Sequence, residues 1–240
     1  MSVRTDFIYT SAYEVLQQAV SATNCLQTDG INAYPVLEYI LQSTLLRLTG
    51  FGEQKLRNIT WEVATQDLQY RYDTLQGKVN YGEYSNISDK KSVFTLLHTK
   101  TIEANDKAQW FSDGEKQEML NEVKRNIEDL FKESVIVQSY PKEYKAYLEG
   151  IRKISKDNFA QGKSLSSGPF DAFYDGLYRQ RNKCAHNTAS YQQDMITLRE
   201  MKDKDYPYKN YFTYFAILLL LDRIFISAYE KYMDAIKVAF

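Results

Sequence analysis

Residues 211 to 221 read YFTYFAILLLL and stop at Asp222-Arg223. A bilayer takes about 20 apolar residues, so this run is too short to span one. A run that is apolar on every side does not suit a surface helix either, because such a helix keeps one polar face. It therefore predicts a buried helix, from about Tyr208 to Lys237, around which the rest of the chain packs. Only four prolines and ten glycines interrupt 240 residues, so long helices with few breakers are expected. A chain of this length buries a core without disulfides. The expected fold is all-α: an antiparallel helical bundle spanning residues 1–240 as one domain, with no sheet of consequence.

The remaining helices follow from apolar spacing and punctuation. A first helix is expected from Asp6 to about Leu26, capped by Thr5 or Asp6. Pro35 opens a second, PVLEYILQSTLLRL, which Gly50-Phe51-Gly52 is expected to end. EQKLRNITWEVATQDLQYRY reads as a third, residues 77–90 as a loop, and KSVFTLLHTKTIEA as a short helix. In residues 113–137, Met119, Leu120, Val123, Ile127, Leu130, Phe131 and Val135 keep one apolar face. Pro141 starts another helix, and SKDNFAQGKSLSSG reads as a loop. Pro169 then opens a helix reaching residue 187, since proline is tolerated in a first turn. DKDYPYKN reads as a turn before the last helix.

Several function classes recede on residue chemistry. A net charge of −1 gives the chain as a whole no electrostatic pull on nucleic acid. The charge is uneven, however. From Lys142 to Lys183 there are nine Lys or Arg against five Asp or Glu, about +4, which leaves about −5 elsewhere. Cys25 and Cys184 lie far apart, which argues against a disulfide framework or a zinc site. The N-terminal residues lack the apolar core of a signal peptide, so a cytoplasmic location and no membrane partner are expected. GKS at 162–164 resembles the end of a phosphate-binding loop. Its first glycine should stand at 157, where Asp157 is found, and a helix precedes it instead of a strand. His98 has no second ligand at metal spacing. The twenty tyrosines suit core edges better than base stacking. No cofactor and no metal are expected.

One stretch stands apart. RQRNKCAHN, residues 179–187, holds one of two histidines in the chain. Arg-Asn occurs at 57-58, 125-126 and 181-182, but only the last has a histidine four residues after the asparagine. One reading is a helix C-terminus where basic side chains favour the dipole and His186 helps cap carbonyls. The other is chemical. Asn182 and His186 share a helix face. Arg181 lies five residues before His186, about 140° away around an ideal helix. The two meet in one chain only if the helix ends or bends there, or else across a twofold axis between two chains.

RNKCAHN resembles the motif of the HEPN superfamily (higher eukaryotes and prokaryotes nucleotide-binding): Arg, a polar residue, three residues, His. Arg181, Asn182 and His186 take those places, and Ala185 precedes the histidine as in many members. Cys184 stands where Ile or Val is common, and Asn187 where Gly is. The resemblance implies an α-helical, usually dimeric protein, and in many members a metal-independent ribonuclease of toxin–antitoxin or antiviral defence systems. A family variant paired with a nucleotidyltransferase antitoxin carries a tyrosine two residues after the histidine, where this chain has Thr188.

The side chains suit that chemistry on their own terms. Histidine is the side chain whose reference pKa, about 6.5, lets it act as base or acid near neutrality. Arginine stays charged and forks onto phosphate oxygens. Asn182 would orient the histidine or donate to phosphate. Arg179 and Lys183 would hold flanking phosphates, and Arg152, Lys153, Lys156 and Lys163 would extend the track. Cys184 reads as a small apolar residue, since a nucleophilic thiol needs its own base. Two functions stay open: a homodimeric ribonuclease cutting single-stranded RNA, with a possible antitoxin or regulatory partner, or an inactive helical module binding RNA or a protein.

Overall fold

The structure is a computed structural model that describes residues 3–24, 34–77, 82, 84–186 and 210–239. Among the described residues it is all-α apart from one two-stranded hairpin. The helices are α1 (Val3–Tyr9), α2 (Ala12–Asn24), α3 (Tyr34–Gln66), α4 (Leu68–Leu75), α5 (Ile87–Ala104), α6 (Asp113–Phe131), α7 (Val135–Ser139), α8 (Pro141–Gly150), α9 (Pro169–His186) and α10 (Tyr211–Ala239). The turn expected at 203–210 lies outside the described residues except for Asn210, and Cys25, Asn187 and Thr188 lie outside them too.

The apolar run forms the first half of α10, and α10 is the central helix. It packs on α5, α6 and α3, and also on α9, α8 and α2. Phe212, Phe215, Ile217, Ile224 and Tyr229 are buried along its length. The whole helix is long and apolar enough to cross a membrane, but 89% of its most apolar window is buried inside the protein. Core packing therefore accounts for its composition. Asn210 starts α10: its side-chain oxygen accepts from the Thr213 amide at 3.0 Å, as an N-cap does.

Ion pairs fix directions. Lys231–Glu115 at 2.7 Å and Arg223–Glu122 at 3.2 Å make α6 antiparallel to α10. Tyr211 donates to Glu38, and further along Lys55 pairs with Asp222, so α3 runs parallel to α10.

Several expected boundaries move, each for a local reason: α5 begins at Ile87, inside the stretch expected as a loop, where Asn86 caps it through the Asp89 amide, and the helix expected across Asp67 is divided there, where Asp67 caps α4 through the Tyr70 amide. The first helix breaks into α1 and α2 at Ser11. The Ser11 hydroxyl oxygen accepts from the Tyr13 amide at 3.1 Å, the Ala12 amide donates to Asp222 Oδ2 at 2.9 Å, and Lys55 Nζ donates to the Thr10 carbonyl at 2.7 Å. The freed backbone groups of the break are thus met by a buried ion pair from α3 and α10. The helix expected over 113–137 stops at Phe131, because Ser134 caps α7 through the Val137 amide at 3.3 Å. The stretch at 155–168 is no simple loop. Phe159–Gln161 pairs antiparallel with Ser164–Ser166, and Gly162, at φ +53°, makes the turn.

The largest change is in α3. Gly50 and Gly52 do not end a helix; α3 runs 33 residues straight through them. Leu45, Leu48, Leu56 and Ile59 are buried on either side, and that burial outweighs a glycine cost of about 1 kcal/mol each. A Cβ at Gly50 meets nothing within 4 Å, and the residue is exposed. Gly50→Ala is therefore expected to raise stability by about 0.5–1 kcal/mol in urea unfolding. A loss of stability would mean that the chain needs a break there.

Candidate functional site

Helix α9 carries the motif. Gly168, at φ +57°, turns the chain, and Pro169 occupies the first helical position. Phe170, Tyr174 and Leu177 are buried. They recur at four and three residues, and the next place on that stripe is Arg181. The arginine therefore emerges from the edge of the core, whereas Arg179 and Lys183 point to solvent.

Arg181 is held on two sides. Its Nη2 pairs with Glu53 Oε1 of α3 at 3.3 Å, and its Nη1 donates to Asn182 Oδ1 at 3.1 Å. The side chains of Arg181 and Glu53 are 26% and 15% exposed, so the pair sits at the rim of the core. The helix continues through His186. It neither ends nor bends between 181 and 186, and the separation of about 140° holds for the two backbone positions.

A buried cluster lies behind Arg181. Lys90 of α5 is 6% exposed, donates to the Tyr84 carbonyl, and has its ammonium 5.5 Å from the centre of the Tyr174 ring. Burial pushes its pKa down to about 8, against the opposing pull of Glu53 and Asp89, and Arg181 adds to the fall. Tyr174 donates to the Ser85 carbonyl at 2.7 Å. A cavity of about 30 Å³ is bordered by Gly52, Lys90, Tyr174, Lys55 and Asp222. Burial pushes the Lys55 ammonium down and the Asp222 carboxyl up, each opposed by the other's charge.

A second network reaches α9 from the start of α3. Buried Glu38 accepts from Tyr211 at 2.7 Å and Tyr140 at 3.0 Å. Gln180 spans Tyr211 and the Cys184 sulfur at 3.5 and 3.4 Å. Cys184 is half-buried in that network.

The other predicted cations are dispersed in their contacts. Lys156 pairs with Asp113 at the start of α6. Lys163 is exposed at the hairpin turn, where its carbonyl accepts from Thr95 of α5 at 3.1 Å. Arg152 and Lys153 are exposed on a single 3-10 turn after α8. Arg179 uses its Nε on the Asp175 carbonyl at 3.3 Å. His98 is half-buried and lies edge-on to Trp110 at 5.1 Å. Its pKa is lowered by burial and by Lys163. No group of three metal-ligating side chains occurs among the described residues.

Sequence reasoning missed Glu53, Lys90 and the Lys55–Asp222 pair. Glu53 was hidden by the break expected at Gly50–Gly52, which removed it from the middle of a helix. Asp222 carried a usable signal: a carboxylate inside the most apolar helix needs a buried partner.

Comparison with family models, with curated proteins and with solved structures finds no match to this chain. Fold and side chains together define an all-α protein with a half-buried arginine, gripped by a carboxylate, on the helix that ends at His186.

Proposed function

We propose that the protein is a metal-independent endoribonuclease of the HEPN type, cutting single-stranded RNA at Arg181, Asn182 and His186. The observation that carries this reading is the placement of the motif arginine. Arg181 continues the buried stripe of α9 and is oriented by Glu53 and Asn182, yet keeps a quarter of its surface open. A guanidinium fixed in this way costs little to aim at a phosphate.

In the reaction, His186 takes the proton of an internal 2′-hydroxyl, and that oxygen attacks the adjacent phosphorus. Arg181 stabilises the negative charge that develops on the phosphoryl oxygens, and the 5′-oxygen leaves as a hydroxyl by taking a proton from water, while the protonated His186 returns its own proton to solvent. The products are a 2′,3′-cyclic phosphate and a 5′-hydroxyl. The nucleophile belongs to the substrate, so no metal is needed to generate it. Arg179 and Lys183, exposed one turn apart, hold flanking phosphates.

The unbroken helix through His186 supports a cleft shared by two copies of the chain. The apolar run of α10 lends nothing to that, because it is spent inside the core. Sedimentation at micromolar concentration is expected to give a dimer, and monomer alone contradicts a shared cleft.

One observation favours a second reading, an inactive module that binds RNA or a protein. Arg181 and Lys156 are both committed to carboxylates, and the net charge is −1. End-group mapping separates the two. Labelled RNA incubated with the protein and EDTA is expected to yield fragments with cyclic phosphate and 5′-hydroxyl ends. Bound but intact RNA supports the inactive module.

A further inference from the structure

We propose that the cavity between α3, α5, α9 and α10 is a binding site for one small monovalent anion of the halide class, such as chloride, with the Lys90 ammonium as its counter-charge. This inference stands apart from the ribonuclease reading. The cavity, of about 30 Å³, has Lys55, Lys90 and Asp222 in its walls. Lys55 and Asp222 are paired, so their charges cancel. Lys90 is 6% exposed. An ammonium has three N–H donors. One of those on Lys90 meets the Tyr84 carbonyl, and the Tyr174 ring lies 5.5 Å away. Among the described residues no carboxylate pairs with it; Glu53 is paired with Arg181 and is not part of the cavity wall. The walls therefore carry one positive charge in excess. A buried charge without a partner is costly. Burial lowers the Lys90 pKa to about 8, which still leaves the ammonium charged at pH 7.

Size and lining select the kind of anion. One water molecule takes about 30 Å³ in the liquid, so a single halide fits this cavity, whereas a phosphate, a carboxylate or a nucleobase does not. Leu48, Leu56, Leu218, Leu221 and Phe225 make up most of the remaining wall. An apolar lining suits a large, weakly hydrated halide, which gives up its water readily. A water molecule in the same place would need two to four polar partners and would leave the Lys90 charge uncompensated. Gly52 supplies a way in. It borders the cavity and is half-buried, and a Cβ built there meets nothing within 4 Å. A glycine in the middle of a helix costs about 1 kcal/mol, and at this position it leaves an opening past α3 towards Lys90.

Thermal unfolding of the full chain tests this. Sodium gluconate, whose anion is too large for the cavity, is replaced stepwise by sodium chloride at pH 7 and constant ionic strength. The wild-type midpoint is expected to rise and then level off, by roughly 3–6 °C once chloride reaches about ten times its dissociation constant. Lys90→Met removes the counter-charge and should not respond. Gly52→Leu keeps α3 helical, closes the opening and should not respond either. Gly50→Ala, two residues away and outside the cavity wall, should keep the full response. A wild-type midpoint indifferent to chloride overturns the proposal, as does a full response in Lys90→Met or in Gly52→Leu. A second measurement needs no variant to fold. Crystals of wild type soaked in sodium bromide should show an anomalous peak inside the cavity beside Lys90 Nζ, and a cavity without one overturns the site.

Discussion

His186→Ala is expected to lower RNA cleavage by about a hundred- to ten-thousand-fold, the range that a positioned general base contributes. His186 is the last residue of α9, so helix content should be unchanged. Arg181→Ala should lose activity on the same scale, because a donor aimed at developing charge is worth about a hundred- to a thousand-fold. That variant also leaves Glu53 without its partner, so its stability has to be measured alongside. Arg181→Lys keeps a charge on Glu53 but loses the planar fork, and it should remain folded and inactive. Asn182→Ala should fall between, since its oxygen orients Arg181. Cys184→Ala should keep most of its activity. Circular dichroism and initial rates on one labelled RNA read all five.

The second large effect concerns stability. Lys55→Met should cost about 3–5 kcal/mol, the usual penalty for stranding one member of a buried ion pair. Asp222 is left in the core without its cation, and the Thr10 carbonyl loses its donor. The break between α1 and α2 depends on both groups, so the N-terminal helices should loosen first. Amide exchange in residues 3–24 should quicken more than in α6. Lys55→Met combined with Asp222→Leu removes the stranded charge and should recover part of the loss. If Lys55→Met unfolds at the same urea concentration as wild type, the pair does not hold the break together.

What was legible in the sequence followed one rule: elements with a strong apolar pattern were visible, and those set by distant polar groups were not. The apolar run of 211–221 announced the central helix. Ser112 and Glu115, which make the capping box of α6, stand beside a clean amphipathic face. Pro141 and Pro169 marked the starts of α8 and α9. By contrast, the break at Ser11 depends on Asp222, which is 210 residues from the Ala12 amide it accepts from, and local propensity carries no trace of it. Gly50 and Gly52 gave the opposite error: two local breakers are overridden by the burial of leucines on both sides. That error reached the site, because it hid Glu53. The motif itself could be read only as residue types at a spacing. That Arg181 lies at the end of a buried stripe, with a carboxylate waiting on α3, is a property of how α3 and α9 pack.

The most direct test of the ribonuclease claim uses a labelled RNA and its all-deoxy twin. Each is incubated with wild type and with His186→Ala, with chelator present throughout. Wild type is expected to cut the RNA, to spare the DNA, to be indifferent to chelator, and to lose its activity with the histidine. Cleavage of the DNA, arrest by chelator, or a His186→Ala variant as fast as wild type would contradict it.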